Sequence, residues 1–566
     1  MVKALRTAFI CIVLAVVNHA LATLDQETPS LSDTTSKDNS TRTPRESPGG
    51  SAPNSRDGPN NAASGTKTHA DIIARRLIVR FPYRTKPVPF DDIDLSKYNS
   101  SQDDKMGVIV KRLKSLKTYI IEVGEGNSLD EVKRLEDFLI SEGGKVEKDA
   151  VAILSGISDK SNTETSASST DAQSPTTERP PNGDVKNLFS KDQWYIELLE
   201  INRAWNQMRK MRRKPVKVCI VDTGIDYHHD ALQDAIELNE MELNGIQGVD
   251  DDDNGLIDDI YGANFVDNNM DPMDLHGHGT SLAGIIAAKY KNPQDIAGIN
   301  TYARLIPCKA FDSNLEGYLS DILQCIDYCL ARGAMVQNHS WTHHKESDAL
   351  KSAFAVAEAR NVLMVVSVGN VYYQHGKRRN IDNHVVVPAM YSKYFLNVLT
   401  VSGMQVTSEA TIRERVERCK LTKPDASCEP SKDLQYELYH KSQFGLSLSQ
   451  LVAPAYSIHT LWKNNSKVIA EGVSMATAIV TGVASLLLSI DMKFLQLTSV
   501  SVTHYIRHNI MPLPALKNKV RWGGYVNCRA TVISMVQYNR ALAERHKRMK
   551  AMVLPPRKSD KVNIII

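Results

Sequence analysis

Four short stretches of this chain carry residue types that together could run nucleophilic catalysis. Ser474 lies in Glu471-Gly-Val-Ser-Met-Ala-Thr-Ala478, followed by an apolar helical run to about Ile490. Gly472 permits a sharp turn, so the hydroxyl is offered at a helix mouth. There the dipole and unpaired backbone N–H groups favour a developing oxyanion. Read alone, Ser474 is more simply a helix N-cap. Asp222 closes an apolar run just before Thr223-Gly224; it could orient a histidine or simply make an Asx turn. His278-Gly-Thr280 opens a helical stretch. His276 is the competing base, or half of a His-x-His metal pair, but only His278 directly precedes Gly-Thr. Asn370 ends the run Val365-Val-Ser-Val-Gly-Asn370 and is either a turn residue or an amide donor. In chain order the four supply an orienting acid, a base, an oxyanion donor and a nucleophile, the set that acyl transfer needs.

A second chemical signal is the run Asp250-Asp-Asp-Asp-Asn-Gly-Leu-Ile-Asp-Asp259. Oxygens at alternating positions followed by Gly255 resemble a loop wrapped round a hard cation. Charges this dense repel one another without a counter-ion. The expected Ca²⁺ ligands are Asp250, Asp252, Asn254, the carbonyl of Leu256, and Asp258 or Asp259; a solvated acidic loop is the alternative.

These residues need a framework. Apolar strands at 216–221, 305–310, 362–368 and 395–401 alternate with helical stretches at 280–289, 320–332 and 347–360. That alternation predicts an α/β domain with a mostly parallel sheet covered on both faces. Its functional groups should gather beyond the carboxyl ends of the strands. Before it, strands at 77–81, 118–123 and 151–154 and a capped helix at 128–142 predict a small α+β unit. The expected organisation is residues 1–22 a signal peptide, 23–72 low-complexity, 73–158 the small domain, 159–187 a linker, 188–535 the large domain and 536–566 a basic tail.

Lys3, Arg6, an apolar core from Ala8 to Val17 and Ala20-Leu21-Ala22 have the pattern of a secretory signal. No apolar stretch is long enough for a transmembrane anchor. A net charge of +3 over 566 residues gives no nucleic-acid signature. Once the signal with Cys11 is removed, seven of the eight cysteines remain in an oxidising route. Cys325 and Cys329 share one helical face, and Cys219 and Cys308 lie in strands. The expected bridges are Cys219–Cys329 and Cys308–Cys325, with Cys419–Cys428 closing a polar loop and Cys528 left over; buried free thiols are the alternative for the first four.

In order, Asp222-Thr-Gly, His278-Gly-Thr, Gly369-Asn370 and Gly472-Val-Ser-Met-Ala476 make the chain resemble the subtilisin family of serine endopeptidases. The likeness runs from Gln193-Trp194 to Gly523-Gly-Tyr-Val-Asn527. The Asp-rich loop before His278, Ile306-Pro-Cys-Lys309 and Asp312-Ser313 further resemble the secreted subtilisin-like proteases of apicomplexan parasites. The resemblance implies a three-layer catalytic domain preceded by a ferredoxin-like propeptide. It implies roles for Ser474 as nucleophile, His278 as base, Asp222 as its orienting acid and Asn370 as oxyanion donor. Ser340-Trp341-Thr342 and Gly369 are implied to bind substrate. Val473, Ala478, Ser281 and Trp341-Thr342 depart from the family pattern, and the last pair changes the cleft wall.

The implied protein is a secreted or secretory-organelle, calcium-dependent, monomeric zymogen acting on proteins and peptides. Its propeptide inhibits by adding a strand to the cleft and is cut near Ile157–Ser158, with Asp159–Lys160 the neighbouring choice. The alternatives are a catalytically silent peptide-binding relative and a basic-residue-specific processing protease.

Overall fold

The computed structural model describes residues 68–81, 108–154, 192–292, 295–371, 380–407 and 436–552. The signal peptide, the 159–187 linker, Cys419 and Cys428, and the bonds around Ile157, Ser158 and Asp159 lie outside them.

The strands are β1 Arg76–Arg80, β2 Val108–Leu113, β3 Thr118–Val123, β4 Lys145–Lys148, β5 Val151–Leu154, β6 Val216–Asp222, β7 Ala263–Asn264, β8 Ala303–Lys309, β9 Glu316–Tyr318, β10 Val336–His339, β11 Trp341–Thr342, β12 Leu363–Ser367, β13 Val398–Val406, β14 Tyr436–Leu438, β15 Leu451–Pro454, β16 Ile458–Trp462, β17 Ser466–Ala470, β18 Ile510–Pro512 and β19 Gly524–Val526. The α-helices are α1 His69–Arg75, α2 Leu129–Ser141, α3 Trp194–Leu198, α4 Ile201–Met208, α5 Glu240–Leu243, α6 His278–Ala287, α7 Leu319–Ala331, α8 Asp348–Ala359, α9 Val473–Leu488, α10 Ser499–His508 and α11 Cys528–Met552.

In the small unit β1 to β4 form an antiparallel sheet in the order β2-β3-β1-β4, the strand order of a ferredoxin-like fold. Its helix α2 starts with a capping box, Ser128 and Glu131 each satisfying the other's backbone N–H. Val132, Leu135 and Leu139 face the sheet residues Leu77, Val79 and Ile121. The strand at 151–154 leaves this sheet. It lies between β9 and β11, antiparallel to both, with Leu154 opposite Trp341 and Ala152 opposite Gly317.

The large sheet runs β18-β19-β15-β13-β12-β10-β6-β8-β7, with β14 beside β13. From β7 to β19 every pairing is parallel; β18 and β14 pair antiparallel. The chain goes from β6 to β8 on one side and then to β10 on the other, so β6 is a topological switch point. Helix α9 crosses β10, β12, β13 and β15 and packs on α6. All its residues are buried, which explains why its sequence is apolar all round.

Alternation along β6 sends Cys219 and Asp222 to opposite faces. Asp222 meets α6; Cys219 is disulfide-bonded to Cys329 of α7, and Cys308 of β8 to Cys325 of the same helix. The sheet is therefore sandwiched between helices. Cys528, at the start of α11, is buried and free. Helix α11 runs through the expected boundary at 535 without a break. No helix among the described residues is long and apolar enough to cross a membrane.

The small unit also holds the ends of two helices. Asp149 accepts from Ser320 N and Oγ in the first turn of α7, and Glu147 accepts from Ala349 N and Ser347 Oγ at the start of α8. Carboxylates at helix N-termini satisfy orphan donors and oppose the dipole.

The bridges span 110 and 17 residues. In the chain-entropy account, loops of these lengths are worth about 4.7 and about 3 kcal/mol. Cys219→Ala/Cys329→Ala should therefore lower the urea midpoint more than Cys308→Ala/Cys325→Ala; an equal or reversed order would contradict this ranking.

Candidate active site

Asp222 and His278 are both fully buried. His278 Nδ1–H donates to Asp222 Oδ1 at 2.6 Å, and Thr223 N donates to the same oxygen at 2.9 Å. Burial pulls the His278 pKa down. The charge and hydrogen bond of Asp222, with the charge of Asp274, outweigh burial and hold it above the ordinary histidine value. Helix α6 can approach β6 this closely because residue 279 is glycine: a Cβ there would lie 2.0 Å from the Gly224 carbonyl oxygen.

Asp274 organises the turn into α6. Its Oδ1 accepts from Thr223 Oγ1, His276 N and Gly277 N; its Oδ2 accepts from Thr280 N and Oγ1. Sequence reasoning missed it, because three backbone amides and two threonine hydroxyls as partners leave no spacing signature. His276 is not a second base: its Nδ1 accepts from His278 N at 3.2 Å and its ring packs edge-on against Trp462.

The N-cap of α9 is Gly472, with φ of 140°, so Ser474 sits inside the first turn rather than capping it. Asn370 lies beyond the end of β12, and its Oδ1 accepts from Val473 N at 3.0 Å. That bond fixes the orientation of the Asn370 amide at the first turn of α9. Met475 Sδ meets Ser281 Oγ at 3.9 Å, and Ser281 Oγ donates to the His278 carbonyl at 2.7 Å. The residue after Ser474 thus touches the turn that carries His278. The Ser474–His278 bond itself is not formed: His278 Nε2 is buried without a partner, and Ser474 Oγ contacts Ser340 O at 3.4 Å. Such bonds commonly tighten only with substrate.

Ser340, Trp341 and Thr342 lie along the cleft edge that pairs with Val151–Leu154. Trp341 departs from its expected place in the cleft wall. Its ring is fully buried and its indole N–H donates inward to His339 Nδ1 at 3.1 Å, so it offers the cleft its backbone. Gly369, with φ of 88°, backs Thr342; a Cβ would lie 2.9 Å from Thr342 Cγ2.

In the acidic loop, oxygens of Asp250 and Asp252 converge with one from Glu242 of α5, all within 4.8 Å of one another. Glu242 is buried, and no lysine or arginine among the described residues pairs with the three. Hard carboxylate oxygens without a basic partner suit Ca²⁺. Glu242 was not foreseen, because it comes from outside the loop. Asn254 Oδ1 turns back to Leu256 N, and Asp258 Oδ2 accepts from Gly248 N. Asp259, of the expected pair Asp258 or Asp259, is fully buried beneath α7, where its Oδ2 accepts from Tyr328 Oη at 2.5 Å and Arg332 Nη1 at 3.1 Å, and burial raises its pKa above the ordinary carboxylate value.

The Subtilase family model matches residues 213–523, more than half of the chain. Subtilisin-like protease 1 of Plasmodium falciparum is 31% identical over 359 residues, covering 62% of this chain and 48% of that protein. The Plasmodium berghei protein of the same name is 28% identical over 481 residues, 80% of this chain and 76% of that one. The chain spans about half the length of the first of these relatives. Among solved structures, fervidolysin from Fervidobacterium pennivorans, described as a keratinolytic enzyme related to subtilisin, matches with a TM-score of 0.55 at 19% identity, covering 81% of this chain and 61% of that one. With a parallel sheet of this order and both helix mouths in place, this chain belongs to the subtilase family.

Proposed function

We propose that the chain is a serine endopeptidase made as a zymogen, routed through the secretory pathway and stabilised by calcium. The observation that carries the reading is the buried Asp222–His278 bond, which leaves His278 Nε2 without a partner on a helix packed against the one that carries Ser474. Ser474 Oγ attacks the scissile carbonyl as His278 Nε2 takes its proton. Asp222 holds the imidazole tautomer and stabilises the imidazolium. The Asn370 amide and the Ser474 N–H stabilise the oxyanion. His278 then passes the proton to the leaving amine, and water repeats the sequence on the acyl-enzyme.

The small unit acts as inhibitor. Support comes from the strand Val151–Leu154, which occupies the cleft edge as an extended substrate would. Residues following Leu154 hold the cut, for which Ile157–Ser158 is our choice; sequencing the mature N-terminus outside 155–190 would refute it.

Ser474→Ala should lower peptide cleavage by about 10⁶, and Asn370→Ala by about 10²–10³. A Ser474→Ala protein as fast as the parent would sink the assignment. A silent relative would differ in one respect: Ser474 would not be labelled by a fluorophosphonate.

The base must be neutral to accept a proton, so a raised His278 pKa moves the acid limb of kcat/KM up. That limb should lie above about 6.5, the ordinary histidine value, and activity is lost as pH falls through it. An acid limb below that value would contradict the role given to Asp222.

Calcium, when bound, would be held by Glu242, Asp250 and Asp252 and would screen their mutual repulsion. In the Ser474→Ala background, which cannot digest itself, EDTA should lower Tm by several degrees and Ca²⁺ should restore it. Glu242→Gln should abolish the difference; an unchanged Tm in all three cases would rule the site out.

A further inference from the structure

Strand β11 has an unusual burden. Among the described residues its one strand partner is β5, antiparallel on the cleft side. It follows β10 after a single residue, Ser340, having left the parallel sheet. Further on, the backbone is tied where His343 and Val387 exchange both N–H···O bonds at 2.9 Å. Once the small unit is removed, no other strand among the described residues pairs with the edge that must receive an extended substrate. An edge that frays pays the entropy of ordering each time a substrate binds.

Side chains supply what the backbone lacks. Gln337 and His339 of β10 and Trp341 of β11 follow one another at every second residue, and all three are fully buried. Trp341 Nε1–H donates to His339 Nδ1 at 3.1 Å, and the two rings meet edge-on at 5.6 Å. An indole can only donate, so Nδ1 carries no hydrogen and Nε2 must. Nε2–H then donates to Gln337 Oε1 at 3.2 Å. Burial pushes the His339 pKa down to about 3, so the ring is neutral at neutral pH, as these two bonds require. Phe354 at 5.7 Å from His339 and Phe311 at 6.4 Å from Trp341 enclose the pair in aromatic rings.

We propose that His339 is a positioning residue that, through the Trp341 indole, holds Trp341–Thr342 as a preformed strand for extended peptide substrates. This rests on the protease reading above and deepens it. The anchor acts on substrate main-chain pairing and not on the reacting atoms, so it should tell long substrates from short ones.

The test uses mature enzyme and two substrates: a peptide long enough to pair with β11, and a small ester that reaches only the nucleophile. Trp341→Phe keeps a buried ring and deletes the donor; His339→Phe keeps a ring and deletes the acceptor. Each should raise KM for the long peptide about three- to tenfold, with kcat within about twofold, and His339→Phe should leave the ester kinetics unchanged. The double variant should be no worse than either single one, because both break the same bond. Equal losses on ester and peptide, or effects that multiply in the double variant, would overturn the proposal. Fluorophosphonate labelling of the parent separates the failures. A parent that does not label defeats the protease reading; a parent that labels, with variants whose peptide KM is unchanged, defeats the anchor alone.

Discussion

A fully buried carboxylate at the end of the central strand is the constraint on which the site depends. Asp222 has left water and must be repaid in directed hydrogen bonds. The Thr223 amide and the His278 ring both converge on its Oδ1. That requirement sets the distance between β6 and α6, and the distance in turn demands glycine at 279. It also demands a rigid turn before α6, which Asp274 provides with five accepted bonds. A histidine free to rotate would lose both its tautomer and its aim. The same buried charge that is costly to fold is thus what makes the imidazole a stronger base.

The second helix mouth answers a different need. Helix α9 is wholly buried, so the orphan donors of its first turn cannot turn to water. Asn370 takes one of them through its Oδ1, and in doing so orients its own NH₂ group. One hydrogen bond therefore both completes the helix and aims the amide. The packing of α6 on α9 brings the mouths together. Because the Met475–Ser281 contact joins their first turns, a shift of either helix would be felt at the other.

The legible parts of the sequence were those with local signatures. Apolar strands alternating with helices gave the parallel sheet; Gly-Val-Ser-Met-Ala and His-Gly-Thr marked helix mouths; the spacing of Cys325 and Cys329 marked one helical face. What escaped reading was set by tertiary context. Glu242 reaches the acidic loop from α5, eight residues before Asp250. Asp259 looks like a loop ligand, yet the path of the chain turns it under Arg332 and Tyr328. Trp341 stands in a cleft strand, but the parity of that strand sends its ring inward. The antiparallel β18 at the edge of the sheet carries Pro512, which weakened any strand pattern there.

The small unit is bound to the large one by the same means that build the site. Glu147 and Asp149 sit at the N-termini of α8 and α7, where dipoles and unpaired N–H groups favour anions. Arg76 Nη1 lies 3.4 Å from Asp149 and 3.3 Å from Asp321, so two buried carboxylates share one guanidinium. Burial raises the pKa of both carboxyls, Asp321 to about 7, and Ser320 N and Oγ both donate to Asp149. This contact is directional and polar, whereas the cleft contact through Val151–Leu154 is a backbone ladder that accepts varied side chains. Affinity and orientation can thus reside outside the cleft. The cleft edge itself is met by main-chain pairing.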